Sequence, residues 1–240
     1  MLKLIGVTKK YDKYLAVNDI NLDVMKGEIF SFLGVNGAGK TTTLKMIVGL
    51  LRPTAGKIVI NGLEQLSNII EIKRITGYIP DRPYLYDGLT GGEFLSFIAS
   101  LYELDKKKAK IKSEQLLERY ALCDWSDELI ESYSHGMKQR LAMCAALLPE
   151  PKLLVVDEPM VGLDPHGAKL LKDSFREYAK SGMTIFLSTH SLGVAEELSD
   201  RISLLHKGKI AAIGDLEHLR SVVGERGSNL EQVFLRLTTE

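Results

Sequence analysis

Apolar and polar positions follow two rhythms along the chain. In residues 2 to 7 and 15 to 24 they alternate, with Leu15, Val17, Ile20, Leu22 and Val24 on one side, and both stretches predict half-buried antiparallel strands. Ile29 to Leu33, Leu153 to Val156 and Met183 to Leu187 are dominantly apolar runs of the kind found in strands buried on both faces. Lys57 to Gly62 predicts a short strand ending in an Asn-Gly turn, Gly77 to Asp81 a strand leading into a loop, and Ile202 to Leu205 and Lys209 to Ile213 two more strands.

A period near 3.6 marks the helices. Leu44, Ile47, Val48 and Leu51 place one after Thr41, stopped by the turn residues Arg52 to Gly56. From Leu89 the strand signals vanish. Phe94, Phe97, Ile98 and Leu101 recur at i, i+3, i+4 and i+7, and the charged stretch Asp105 to Tyr120 follows, so residues 89 to 135 read as a helical insertion. Lys138 to Leu148 is strongly helical, the turn Gly162 to Pro165 introduces a helix through about Lys180, and weakly amphipathic helices run from about 215 to Glu240.

Composition removes some options. The 240 residues carry 31 Lys plus Arg and 31 Asp plus Glu, so net charge draws the chain to neither nucleic acid nor an anionic membrane. Length allows one large or two small domains with a core that needs no staples. Cys123 and Cys144 lie in unrelated settings, a polar stretch and an apolar helical face, as reduced intracellular thiols do. The first five residues meet polar ones too soon for a signal peptide, and no window approaches the ~18 consecutive apolar residues of a membrane span.

The chemistry centres on Gly34-Val35-Asn36-Gly37-Ala38-Gly39-Lys40-Thr41, which fits Gly-x-x-x-x-Gly-Lys-Thr with a strand before it and a helix after it. Gly34, Gly37 and Gly39 lack Cβ atoms, can take positive φ, and let backbone N–H groups converge on one anion. The following helix N-terminus points its unpaired N–H groups the same way. Lys40 supplies the one full positive charge for β and γ phosphates, and Thr41 a hydroxyl for Mg²⁺. The expected ligand is a nucleoside triphosphate with magnesium.

Asp157 and Glu158 end a buried strand, where alternation sends them in different directions, one suited to a magnesium shell and the other to an attacking water. Ser134 and Gly136 open a helix, as caps or as a second anion site. His190 follows the apolar run ending at Leu187, on the strand edge where open α/β sheets bind ligands. Tyr11 and Tyr14 flank a basic turn and could stack on a base, although spacing alone favours plain hairpin aromatics.

Phosphate loop, Ser134-Gly136 segment, Asp157-Glu158, Asp164 turn and His190, in this order, resemble the ATP-binding cassette of ABC transporters over essentially the whole chain. The resemblance implies one ABC ATPase domain spanning 1 to 240: an α/β phosphate-loop core, an antiparallel β subdomain and an inserted α-helical subdomain. It implies that Tyr11 stacks on adenine, that Gly34 to Thr42 (Gly34, Val35, Asn36, Gly37, Ala38, Gly39, Lys40, Thr41 and Thr42) hold ATP, and that Thr41 and Asp157 hold Mg²⁺. Glu158 becomes the general base, His190 the γ-phosphate switch, Asp164 the inter-subunit turn, and Ser134 with Gly136 the closure of a second subunit's site. The implied partners are a separate transmembrane permease and a second copy of the chain, with no nucleic acid. The implied location is the cytoplasmic face of the membrane, reached through the permease.

Two departures from the common pattern stand out. Asp81 takes the place usually held by a magnesium-contacting glutamine, and a carboxylate is a good hard ligand for Mg²⁺. The segment usually written Leu-Ser-Gly-Gly-Gln is Tyr133-Ser134-His135-Gly136-Met137. Both resemble cassettes of two-component bacterial exporters. A soluble cassette ATPase acting on nucleic acid or protein complexes is the alternative, but it usually brings paired cassettes or basic surfaces. A nucleotide kinase leaves Ser134, Gly136 and the Asp-Glu pair unexplained. Finally, Tyr84, Leu85 and Tyr86 lie in a loop interrupted by Pro83 and Gly88, an expected anchor for the permease or, alternatively, a cover for the helix carrying Phe94 and Phe97.

Overall fold

The computed structural model describes residues 1–222 and 230–238. In chain order, β1 (Leu2–Tyr11), β2 (Tyr14–Val24), β3 (Ile29–Gly34), α1 (Lys40–Ile47), β4 (Ala55–Ile60), β5 (Leu63–Glu64), α2 (Ile69–Ile75) and β6 (Thr76–Ile79) make the first third. Then come α3 (Gly91–Leu101), α4 (Lys106–Arg119), two short 3₁₀ turns at Cys123–Trp125 and Ile130–Ser132, and α5 (His135–Leu147). β7 (Leu153–Asp157), α6 (Pro165–Lys180), β8 (Thr184–Thr189), α7 (Leu192–Leu198), β9 (Arg201–His206), β10 (Lys209–Gly214), α8 (Leu216–Val222) and α9 (Leu230–Thr238) follow. Of the predicted tail, residues 223–229 and 239–240 lie outside the described residues.

The two strand rhythms separate into two sheets. The alternating hairpin β1–β2, in register from Leu2 opposite Val24 to Tyr11 opposite Tyr14, joins β4 and β5 in an antiparallel sheet ordered β2-β1-β4-β5. The apolar runs form the middle of a six-stranded sheet ordered β10-β9-β3-β8-β7-β6, parallel except at the β10 edge. Alternation along these buried strands feeds two cores. Leu154, Val156, Ile185 and Leu187 pack with Phe94, Leu95, Leu141 and Phe175 of the helices. Leu153, Val155, Phe186 and Phe30 pack with Leu4, Val17 and Ile20 of the other sheet and Leu44 and Ile47 of α1. Phe30 and Phe186 stack at 5.7 Å between centroids. A parallel strand has to be apolar throughout because each face meets its own core.

Four elements differ from expectation, one of them α7, for which no helix was expected between His190 and Ile202. α2 was not predicted, and the reason is physical: its N-cap Asn68 makes no capping bond, β-branched Ile69, Ile70 and Ile72 favour strands, and Ile72 is its only buried residue. α5 begins at His135, three residues before the predicted run. In α3 the buried side is Phe94, Leu95 and Ala99, while Phe97 and Leu101 of the predicted stripe stay exposed. Tyr86 covers part of Phe97, edge to face at 5.5 Å, and also meets Phe94 at 6.3 Å. Leu85 also packs on this core, whereas Tyr84 is 94% exposed. The two tyrosines of that loop therefore part company, one covering α3 and one free on the surface.

Because β3, β7 and β8 run parallel, their carboxyl ends share one edge, and the loops leaving them meet there.

Candidate active site

The loop between β3 and α1 is clamped from behind. A Cβ on Gly34 would lie 2.7 Å from the Leu205 carbonyl oxygen, and one on Gly39 would lie 2.5 Å from that of Ala16. Gly34 is thus required by close approach to β9, and it is not among the positive-φ glycines, contrary to the expectation for it. Gly37, at φ 80°, and Gly39, at φ 106°, do take the left-handed backbone. Gly39 caps α1 with no side-chain hydrogen bond, so the first N–H groups of the helix have no side chain competing for them. Ala38 is buried behind the loop, where its carbonyl accepts from Gly208 N at 3.0 Å.

Lys40 is only 6% exposed, and its ammonium has three oxygen neighbours. Nζ donates to the Gly34 carbonyl at 2.7 Å and to that of Val35 at 3.4 Å, and sits 3.4 Å from Glu158 Oε1. The same Glu158 oxygen lies 2.9 Å from His190 Nδ1, and its other oxygen accepts from the His190 backbone N–H at 3.3 Å. One carboxylate thus joins the loop after β3 to the end of β8. Glu158 reaches this place because it leaves β7 at φ 49°, not because side chains alternate along a strand. Asp157, the last residue of β7, is buried and accepts a short hydrogen bond from the Ser188 hydroxyl of β8.

Lys40, Asp157 and Glu158 border a cavity of about 370 Å³. Tyr11, Val35, Asn36, Gly37, Gly39, Lys40, Thr41, Thr42, Asp81, Asp157 and Glu158 line it, with Tyr14 and Ala16 beside Tyr11. Lys9 Nζ stands 5.2 Å over the Tyr11 ring. Burial first, then the negative charges of Asp157 and Asp81, push the Tyr78 phenol up to about 12. Thr41, Asp81 and Asp157 bring a hydroxyl and two carboxylates to the lining of this cavity, and no group of three or more His, Cys, Asp or Glu able to hold a metal occurs among the described residues. That donor set suits Mg²⁺, which takes one or two carboxylates and completes its shell with phosphate oxygens and water.

Gly34 and Ala38 lie behind the loop and His190 behind Glu158, outside the lining, and three further predicted site residues stand apart from this cavity. Ser134 is the N-cap of α5, its hydroxyl accepting from Met137 N at 3.3 Å. Gly136 lies near Leu163, and Asp164 caps α6 by accepting from Gly167 N at 2.8 Å. Tyr133 and Met137, two of the departures, are buried in the helical core, with the Tyr133 hydroxyl donating a short bond to the Trp125 carbonyl. Sequence reasoning missed Ser188, which has no local signal, and Gln139, 1% exposed with neither amide atom hydrogen-bonded. Its polarity in an apolar helical run was the available signal.

A parallel sheet whose first-loop glycines cradle a buried lysine at a helix start defines a phosphate-loop nucleotide-binding ATPase core. The chain belongs to the ABC transporter family, whose model matches residues 17–161, and it is an ATP-hydrolysing cassette of that family. It is 39% identical over 221 residues to the bacitracin transport ATP-binding protein BcrA of Bacillus licheniformis, covering 92% of this chain and 71% of that protein. Its structure is similar to that of an ATP-binding subunit of an ABC transporter, with TM-score 0.94, 34% identity and 100% of both chains covered. It is also similar to a dimeric, post-hydrolysis ATP-binding cassette bound to ADP and Pi, with TM-score 0.83 and 25% identity over 90% of this chain and 99% of that one.

Proposed function

We propose that residues 1 to 240 form one cassette that binds Mg²⁺ and ATP in this cavity as a homodimer and powers a separate membrane permease, in the export direction. Adenine stacks on the face of Tyr11 opposite Lys9. The loop from Gly34 to Thr42 cradles the phosphates, with Lys40 on the β and γ groups. Thr41, Asp157 and Asp81 would hold Mg²⁺, which when bound neutralises charge on the β and γ oxygens.

The observation that carries the reading is the Glu158 carboxylate shared between Lys40 and His190. A γ-phosphate reaching Lys40 competes with Glu158 for the same ammonium. The displaced carboxylate, oriented by His190, is then free to take a proton from water attacking the γ-phosphorus. Ser134, Gly136 and Asp164 lie off the cavity of their own chain, as expected of groups that complete the site of a second copy. In Glu158→Gln, kcat should fall by roughly 10²- to 10⁴-fold while ATP binding persists. Hydrolysis near the parent rate would remove Glu158 as the base.

The permease has a natural seat. A mainly apolar groove of about 400 Å³ is lined by Leu50, Ile72, Pro83, Tyr84, Ile98 and Ala145 among others, with Tyr84 at its rim. Tyr84→Ala should abolish co-purification with the membrane subunit and leave ATPase activity and thermal stability intact. Tyr86→Ala should instead cost about 1 kcal/mol of stability through its lost ring contacts. Equal behaviour of the two variants would discard this seat.

A further inference from the structure

His135 stands where the common signature has glycine, between Ser134 and Gly136 at the first position of α5. Its ring lies against Gly162 in the turn after β7, on the exposed surface. A Cβ on Gly162 would lie 2.5 Å from His135 Cδ2 and 2.9 Å from Nε2, and Gly162 takes φ 77°. Gly136 rests on the same turn, since a Cβ there would lie 3.5 Å from Leu163 Cδ2. On its other side His135 borders a cavity of about 450 Å³ shared with Asp81, Arg82, Pro83, Lys138 and Val161.

The turn that receives the ring also carries Glu158. Val161 N donates to the Glu158 carbonyl at 3.2 Å, and Leu163 N to that of Met160 at 3.4 Å. Two successive turns therefore link Glu158 to Gly162 and Leu163. The path between Gly162 and the Glu158 backbone is thus short and hydrogen-bonded.

We propose that His135 is a positioning residue: its ring, seated on Gly162, ties the first turn of α5 to the segment that carries Glu158. A phosphate engaging Ser134 and Gly136 then sets the carboxylate through this contact. Glycine at position 135 has no atoms with which to make it. The inference rests on the hydrolytic reading of Glu158 given above.

A double-mutant cycle on the full chain tests it, using steady-state ATPase kinetics for the parent, His135→Gly, Gly162→Ala and the pair. Alanine at 162 displaces the ring from this contact. The strain of alanine at positive φ is present in both backgrounds and cancels in the cycle. Each single variant should lower kcat about tenfold with KM changed less than about twofold, and the pair should be no slower than Gly162→Ala alone. His135→Gln, with a planar amide of similar reach, should recover most of kcat. Thermal unfolding separates a folding defect from the kinetic effect.

Multiplying losses in the pair, a change confined to KM, or parent-like kcat in His135→Gly would each overturn the proposal. The last comparison decides even if Gly162→Ala does not fold. A parent unable to hydrolyse ATP would overturn the hydrolytic reading, and this inference with it. An active parent with additive losses would overturn the inference alone.

Discussion

The chain uses two helix N-termini in opposite ways. α1 opens on Gly39, with no side-chain cap, a buried lysine at its first position and a cavity in front of it. α5 opens on Ser134, which caps Met137 N with its own hydroxyl while His135 and Ser134 stay exposed. A helix start offers unpaired N–H groups and partial positive charge in either case. At α1 those groups are aimed into a site that the same chain encloses. At α5 they are partly satisfied internally and aimed off that site. The difference teaches which helix start faces a site of its own chain and which one, on the proposed function, serves a second copy.

The largest expected effects divide along that line. Lys40→Ala should weaken ATP binding by roughly 100-fold even in dilute, monomeric protein, because a charge-assisted contact is lost and Glu158 loses its ammonium partner. Ser134→Ala should leave monomer affinity within about twofold and weaken ATP-driven dimerisation by about tenfold. The accompanying loss of stability is near the lower part of the ~0.5–2 kcal/mol range for N-caps, since its capping bond is long. Nucleotide titration at low protein concentration and light scattering at high concentration read the two effects separately. Equal loss of monomer affinity in both variants would break the contrast.

A smaller effect concerns the body of α5. Gln139 is buried one turn beyond His135 with no hydrogen-bond partner for either amide atom, and such a group costs about 1–3 kcal/mol. Gln139→Met, of nearly equal volume, should raise stability by about 1 kcal/mol and Tm by roughly 2–4 °C. Denaturant unfolding with and without ATP measures it. A stability loss would show that the amide has a partner that matters in the folded chain.

Sequence legibility followed the range of the interactions involved. The α1 end could be read because its parts are neighbours: strand, glycines, lysine and threonine act within a few residues of one another. The same holds for Asp164, which caps the helix that follows it by accepting from Gly167 N three residues on. For Gly34 the local reading of positive φ does not hold, since what forbids a side chain there is the Leu205 carbonyl on β9. Asp157 and Glu158 were recognised as a pair, yet the reason they diverge is the left-handed backbone at Glu158. Tyr84 and Tyr86 looked interchangeable until α3 took one of them as a cover.

By itself the sequence determined which stretches could be strands buried on two faces, where a phosphate loop must form, and which side chains are candidates for phosphate, metal and proton chemistry. Those outcomes depend on local backbone freedom and on the period of apolar residues. Only the tertiary structure decided that Ser188 holds Asp157, that Glu158 bridges Lys40 and His190, and that His135 sits on Gly162. Each joins segments 27 to 118 positions apart in the numbering, brought together by parallel strand order and by two cores packing on opposite faces of one sheet. No local pattern encodes that proximity, because it is a property of the packed sheet and not of any one segment.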